Sequence, residues 1–166
     1  MALHHIVYKS KPYVNDDPDN YQVSLHEAGH VVVSEILRPG SVAFVTLCGC
    51  EEQKGFTTYN VDDSISTLEE LMNGAVVARG GKAAVELNLR VDVGSVTDLA
   101  DAQKYLKLTF ANMVSNGFKP VCNSRSMSER LYDENEIIMP AKLEDAYRIA
   151  KNVLIENKRF LDAVQK

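Results

Sequence analysis

Within this chain of 166 residues, the stretch His26-Glu27-Ala28-Gly29-His30 combines residue types and spacing that could do chemistry. On a helix, residues four apart lie one above the other, so both imidazoles can reach a single ion. Glu27 lies about a hundred degrees round from His26, beside such an ion rather than on it. A carboxylate there can take a proton from an activated water and pass it to a leaving amine. Zinc is the expected ion, because imidazole and carboxylate suit it and an open fourth position holds the water. It would lower the pKa of that water to roughly 7 and polarise the scissile carbonyl. The competing reading is a solvated helix face that happens to spell the pattern. Placement within a well-delimited helix argues against it.

Two histidines do not complete a site. The chain has four, and His4 and His5 fall in a polar stretch read as a flexible tail over residues 1–17, which leaves His26 and His30. The longer motif with a third histidine needs glycine at position 33 and histidine at 36, where Val33 and Ile36 stand. The third donor should then be a carboxylate. Glu51 and Glu52 have a suitable separation but fall in an expected hairpin turn, where a second ligand helix would be required. Glu86 and Asp98 remain, and the residues alone do not choose between them. Ser95-x-x-Asp98 is also a capping arrangement, which gives Asp98 another occupation.

Positioning these groups requires four helices and one small sheet. Asn15-Asp16-Asp17-Pro18 is a helix start, with an acidic cap and proline at the first helical position. That helix carries the motif and runs to about Leu37, where Pro39-Gly40 stops it. Val42–Leu47 and Gly55–Tyr59 read as an antiparallel pair. Ser66-x-x-Glu69 is a capping box opening a second helix to about Leu87. Gly74, Gly80 and Gly81 within it mark places where another backbone comes close. A third helix begins near Thr97, with Leu99, Ala102, Leu106, Phe110 and Met113 on one stripe, and Gly117 closes it. Residues 119–136 are the least regular part. A fourth helix starts around Pro140 and continues nearly to the C-terminus. The fold class expected is mainly α (α+β): a single helical domain over residues 18–166, with a small antiparallel sheet and a zinc-binding helix.

Composition closes off other classes. The chain is 45% hydrophobic and 25% charged, which excludes a disordered polymer. A formal charge of −5 offers no phosphate-binding surface, so nucleic acid is not an expected partner. No apolar run approaches the ~20 residues of a membrane helix, and no hydrophobic leader opens the sequence, so the expected location is cytoplasmic. Three cysteines, Cys48, Cys50 and Cys122, fit reduced thiols. Cys48-Gly49-Cys50 lacks the spacer of zinc and redox pairs and reads as two strand residues of opposite orientation.

From Tyr21 almost to Lys166, the sequence resembles the protease domain of FtsH-type ATP-dependent zinc metalloproteases. Four blocks carry the resemblance in order. They are His26-Glu27-Ala28-Gly29-His30; Val42–Leu47 with Gly55-Phe56-Thr57; Gly80-Gly81-Lys82-Ala83-Ala84-Val85-Glu86; and Gly94-Ser95-Val96-Thr97-Asp98-Leu99. The closing helix, Ala141 to Phe160, is also similar. The resemblance implies a zinc peptidase in which His26, His30 and Asp98 bind Zn2+ and Glu27 is the catalytic base. It leaves Glu86 either as a structural carboxylate or as one that could orient a ligand imidazole, and makes Gly80 and Gly81 close-approach residues beneath the zinc helix.

The sequence also departs from the family. It contains neither the ATPase module nor the membrane anchor. Gly81-Lys82 does not end a phosphate loop, because Val76 and Ala83 stand where glycine and Ser/Thr are needed. The expected activity is therefore that of a stand-alone zinc endopeptidase acting on peptides or unfolded protein, with a separate ATPase as a candidate partner. Family members form hexameric rings, which leaves a homo-oligomer open. The alternative is a non-catalytic interaction or regulatory module built on the same fold.

Overall fold

The computed structural model describes residues 18–47, 55–60, 67–90, 95–116 and 138–165. Several expectations lie outside these residues: the tail with His4 and His5, all three cysteines, Glu51, Glu52, Ser66, Gly94 and the stretch 119–136. Among the described residues the chain is mainly helical, with one two-stranded antiparallel sheet, as the sequence predicts. No described helix is long and apolar enough to cross a membrane.

Helix α1 (Pro18–Leu37) is the central element. From Leu25 to Ser34 every residue except His26 is buried, the pattern of a helix surrounded by protein rather than one lying on a surface. It stops at Pro39-Gly40, where Gly40 takes a left-handed φ of 81° that glycine adopts without steric cost. Glu35 reaches over this turn and accepts from the amides of Gly40 (2.9 Å) and Val42 (3.0 Å). The chain then enters β1 (Val42–Leu47), which pairs with β2 (Gly55–Tyr59) in the register Val45↔Thr57, with an irregularity between Val42 and Phe44.

Where one helix was expected from about residue 66 to Leu87, there are two, α2 (Leu68–Ala78) and α3 (Gly80–Leu89), meeting at Arg79 with φ −93° and ψ −4°. The start also moves by one residue. Thr67 is the cap, accepting from the Glu70 amide at 3.2 Å while Glu70 Oε2 accepts from the Thr67 amide at 2.7 Å. Ser66-Thr67 and Glu69-Glu70 are doubled letters, so either register spells the same capping box, and only geometry separates them.

The break serves packing. α1 lies most extensively against α3, at a crossing made of residues with almost no side chain. A Cβ on Gly29 would fall 2.4 Å from the Gly80 carbonyl oxygen and 2.6 Å from Ala84 Cβ, and one on Gly80 would fall 2.8 Å from the Gly29 oxygen. Such backbone contact is available to glycine alone. Gly74 does the same service for α4 (Val96–Ser115), since a Cβ there would come within 2.7 Å of the Tyr105 ring.

The expected fourth helix is likewise divided, into α5 (Met139–Glu156) and α6 (Lys158–Val164). At the joint, the Asn157 side chain donates to the Val153 carbonyl at 2.8 Å, the local competition with helical bonding that makes asparagine a poor interior residue. One core joins these layers. Leu25, Val32 and Val33 of α1 meet Ala75–Val77, Ala83 and Ala84, then Leu106, and Ala146, Ala150 and Leu154 of α5. Its many alanines and valines fit the short distance between helices.

Candidate metal centre

His26 and His30 lie one turn apart on α1, their ring centroids 4.7 Å apart and their planes nearly perpendicular at 77°. Asp98, in the first turn of α4, meets them from across the fold. Its Oδ2 is 2.9 Å from His26 Nε2 and 3.3 Å from His30 Nε2. Three donor atoms, one from each residue, lie within 4.8 Å of one another. The two carboxylates left open by the sequence thus part company. Glu86 is occupied elsewhere, accepting from Lys82 Nζ (3.3 Å) and from the Tyr147 hydroxyl of α5. It ties α3 to α5, the structural one of the two roles that the resemblance left to it.

The group that orients the His30 imidazole is a backbone carbonyl. His30 Nδ1 lies 2.8 Å from Val77 O in a buried contact. A carbonyl only accepts, so Nδ1 carries the proton and Nε2 presents a lone pair to the cluster. Val77 is in the last turn of α2, where carbonyls lack the helical partner they would have mid-helix. The break at Arg79 takes this carbonyl out of the regular helical ladder, so that it meets the Arg79 amide and His30, and the glycine pair that packs under α1 follows directly. No side-chain pattern announces a carbonyl acceptor, so sequence reasoning had no access to it.

Gly81 completes the cradle. A Cβ at this position would fall 2.6 Å from His26 Cε1, His26 Nε2 and His30 Nε2. Any side chain here would push into the space the two imidazoles share. Asp98 is positioned by its helix start. Ser95 Oγ accepts from the Asp98 amide at 3.2 Å, so the capping reading is correct for Ser95, while the Asp98 carboxylate turns to the histidines.

This arrangement fits a divalent cation. His26 Nε2 and His30 Nε2 are 3.1 Å apart, and Asp98 Oδ2 is buried with no hydrogen-bond donor that meets ordinary geometry. With His30 Nε2 as a lone pair, atoms that only accept face one another. Such an arrangement is stable only with a proton or a cation between them. Two imidazole nitrogens and a carboxylate oxygen are a donor set that zinc takes.

Titration follows from the same geometry. Burial alone would lower the pKa of His30, but the hydrogen bond and charge of Asp98, with Glu27 and the Val77 carbonyl adding to them, raise it above its ordinary 6.5. Burial alone would raise Asp98, yet its bonds and charge pairing with His26 and His30 hold it well below the ordinary 3.8. In the metal-free protein, the raised His30 contributes stability that is full below 6.5 and disappears as pH rises through its folded value. The depressed Asp98 contributes stability present above 3.8 and lost only as pH falls through its folded value. Metal-free protein should therefore be most heat-stable between about pH 4 and 6.5, whereas zinc, which needs deprotonated imidazole, should move that optimum to higher pH. Melting curves across pH with and without zinc check this. An unchanged optimum would contradict it.

Glu27 stands beside the cluster, 7% exposed, its Oε2 accepting from Thr57 Oγ1 of β2 at 2.7 Å. The fold and site together define a mainly helical α+β domain with a His–His–Asp centre and an adjacent buried carboxylate.

Comparison with known proteins points the same way. No protein-family model matches the chain. It is 25% identical over 162 residues to the ATP-dependent zinc metalloprotease FtsH 2 of a Thermoanaerobacter species, spanning 94% of this chain and 31% of that protein. It is 30% identical over 120 residues to the ATP-dependent zinc metalloprotease FtsH of Heterosigma akashiwo, spanning 69% of this chain and 18% of the relative. The protein of the same name from Cyanidium caldarium is 23% identical over 163 residues, spanning 86% and 26%. These matches relate the chain to a region of FtsH-type proteins. The chain spans between about a fifth and a third of the length of these curated relatives.

Proposed function

We propose that this chain is a zinc-dependent endopeptidase domain that hydrolyses peptide bonds in peptides or unfolded protein. The observation that carries the reading is the convergence of His26 Nε2, His30 Nε2 and Asp98 Oδ2 beside a buried glutamate. Three protein donors are the number found in catalytic zinc sites, which keep a fourth position open, whereas structural sites close with four. Zinc held there supplies Lewis acidity toward a peptide carbonyl and lowers the pKa of water near neutrality. The protein's own groups do the rest. Val77 fixes the His30 tautomer, Asp98 contributes the anionic charge that neutral imidazoles lack, and Gly81 leaves room for the ion. Glu27 takes a proton from the attacking water and delivers it to the leaving amine.

The sheet offers a means of presenting substrate. Among the described residues β1 pairs only with β2, and an extended peptide adding to the other edge of β1 along Val42–Leu47 gains main-chain hydrogen bonds while its side chains remain free. This favours unfolded over folded substrates. A folded protein would first have to be opened, which makes an unfolding ATPase, on a separate chain or in a longer version of this one, the natural partner.

The test is cleavage of an unfolded protein such as casein by the purified chain. Activity should disappear with a zinc chelator and return on adding zinc. Zinc-bound protein that cleaves nothing would turn the reading toward a non-catalytic interaction module.

A further inference from the structure

We propose that Thr57 is the positioning residue for Glu27, holding carboxylate oxygen Oε2 so that Oε1 is the oxygen that exchanges protons with the reactants. The inference rests on the reading of Glu27 as general base. It names the group that aims the base, which neither the zinc motif nor the spacing of its residues supplies.

Two contacts from one strand carry it. Thr57 Oγ1 donates to Glu27 Oε2 at 2.7 Å. On the same face of β2, two residues earlier, Gly55 closes against the same side chain. A Cβ on Gly55 would fall 3.0 Å from Glu27 Cγ, 3.2 Å from its Oε1 and 2.8 Å from Val23 Cγ1. Residues two apart on a strand share a face, so Gly55 and Thr57 form a wall and a clamp along one side of the carboxylate. The last torsion of a glutamate is broad and roughly two-fold. A buried carboxylate with little water around it therefore needs such a partner to choose between its oxygens.

The proton balance shows what the choice does. As the water oxygen bonds to the peptide carbonyl carbon, an O–H bond breaks and its proton passes to Oε1. As the C–N bond breaks, that proton passes from Oε1 to the amine nitrogen, so the products are one acid and one amine and Glu27 is regenerated. Thr57 keeps its proton throughout, because the carboxylate oxygen it engages is not the one that titrates in the cycle. A hydroxyl suits this role, since it donates firmly to an anion yet gives up no proton near neutral pH.

The test compares zinc-loaded Thr57→Val and Thr57→Ser with wild type and Glu27→Gln, using casein or a peptide derived from it. Valine keeps the shape and removes the donor, whereas serine keeps the donor. Thr57→Val should lower kcat about 10- to 100-fold, the usual cost of removing a supporting partner. KM should stay within about twofold and zinc content should be unchanged, with Thr57→Ser recovering most of the loss. A second readout needs neither substrate nor metal. In metal-free protein, the melting-temperature losses of Thr57→Val and Glu27→Ala should be less than additive in the double variant, because both remove one shared bond. Wild-type kcat in Thr57→Val, or additive melting losses, would overturn the proposal while leaving an inactive Glu27→Gln, and so the peptidase reading, intact. Full activity in Glu27→Gln would instead overturn the base assignment and this proposal with it.

Discussion

Glu27→Gln is expected to bind zinc as wild type does and to lose peptide cleavage. Glutamine keeps the size of glutamate, and its amide can still meet Thr57, so the helix and the three converging donors are undisturbed. What disappears is the ability to take up a proton. General base catalysis contributes typically about 10²–10⁴-fold, and in a site where the same group also protonates the leaving amine the loss should lie toward the upper end. Metal content by mass spectrometry and a casein assay check the two halves separately. Zinc bound and cleavage retained would show that the proton passes elsewhere. Zinc lost would show that Glu27 supports the metal rather than the water.

Asp98→Ala should abolish zinc binding near neutral pH, whereas Glu86→Ala should leave it intact. Asp98 Oδ2 lies 2.9 and 3.3 Å from the two imidazole nitrogens, and removing it leaves two neutral donors with no charge to offset a dication. The loss of affinity should exceed the ~10–100-fold typical of an outer-shell partner. Glu86 is engaged with Lys82 and Tyr147. Its removal should therefore be felt in stability, because the Tyr147 hydroxyl loses its acceptor and the α3–α5 contact loosens. Tyr147 itself is held above its ordinary pKa by burial and by the neighbouring Glu86 charge, so the hydroxyl keeps the proton it donates. Equal zinc loss in both variants would mean that Glu86 acts on the site through the position of α3.

The sequence discloses the parts of this arrangement that depend on side-chain type and local spacing. The pair at 26 and 30 is legible because four residues make one helical turn, and the antiparallel pairing of 42–47 with 55–59 is legible from its β-rich runs. The glycines at 74, 80 and 81 are legible as close approaches, although what approaches each is not. The residue that completes the cluster lies 68 positions beyond His30, since 98 − 30 = 68. No local rule reaches that distance, so Glu86 and Asp98 stay level until a family resemblance or a structure separates them. Asp98 donates its own amide to the Ser95 cap and still turns its carboxylate to the histidines, a combination that the capping pattern alone would have read as mutually exclusive. The split at Arg79 and the Val77 carbonyl were hidden for a different reason. Gly80 and Gly81 weaken the helix there, but only the structure shows that the break falls at Arg79, beside the α1–α3 contact of Gly29 with Gly80. Thr57 was hidden too, since strand alternation shows which face it occupies but not that Glu27 lies beneath it.

The measurement that tests the central claim most directly is a calorimetric titration of metal-free wild-type chain with zinc at neutral pH, repeated in buffers of different ionisation enthalpy. One zinc per chain is the predicted result, accompanied by proton release, because zinc needs a deprotonated His30 imidazole and Asp98 holds the pKa of that imidazole above its ordinary value. No uptake of zinc by folded chain would contradict the account, since the three converging side chains would then hold no metal ion.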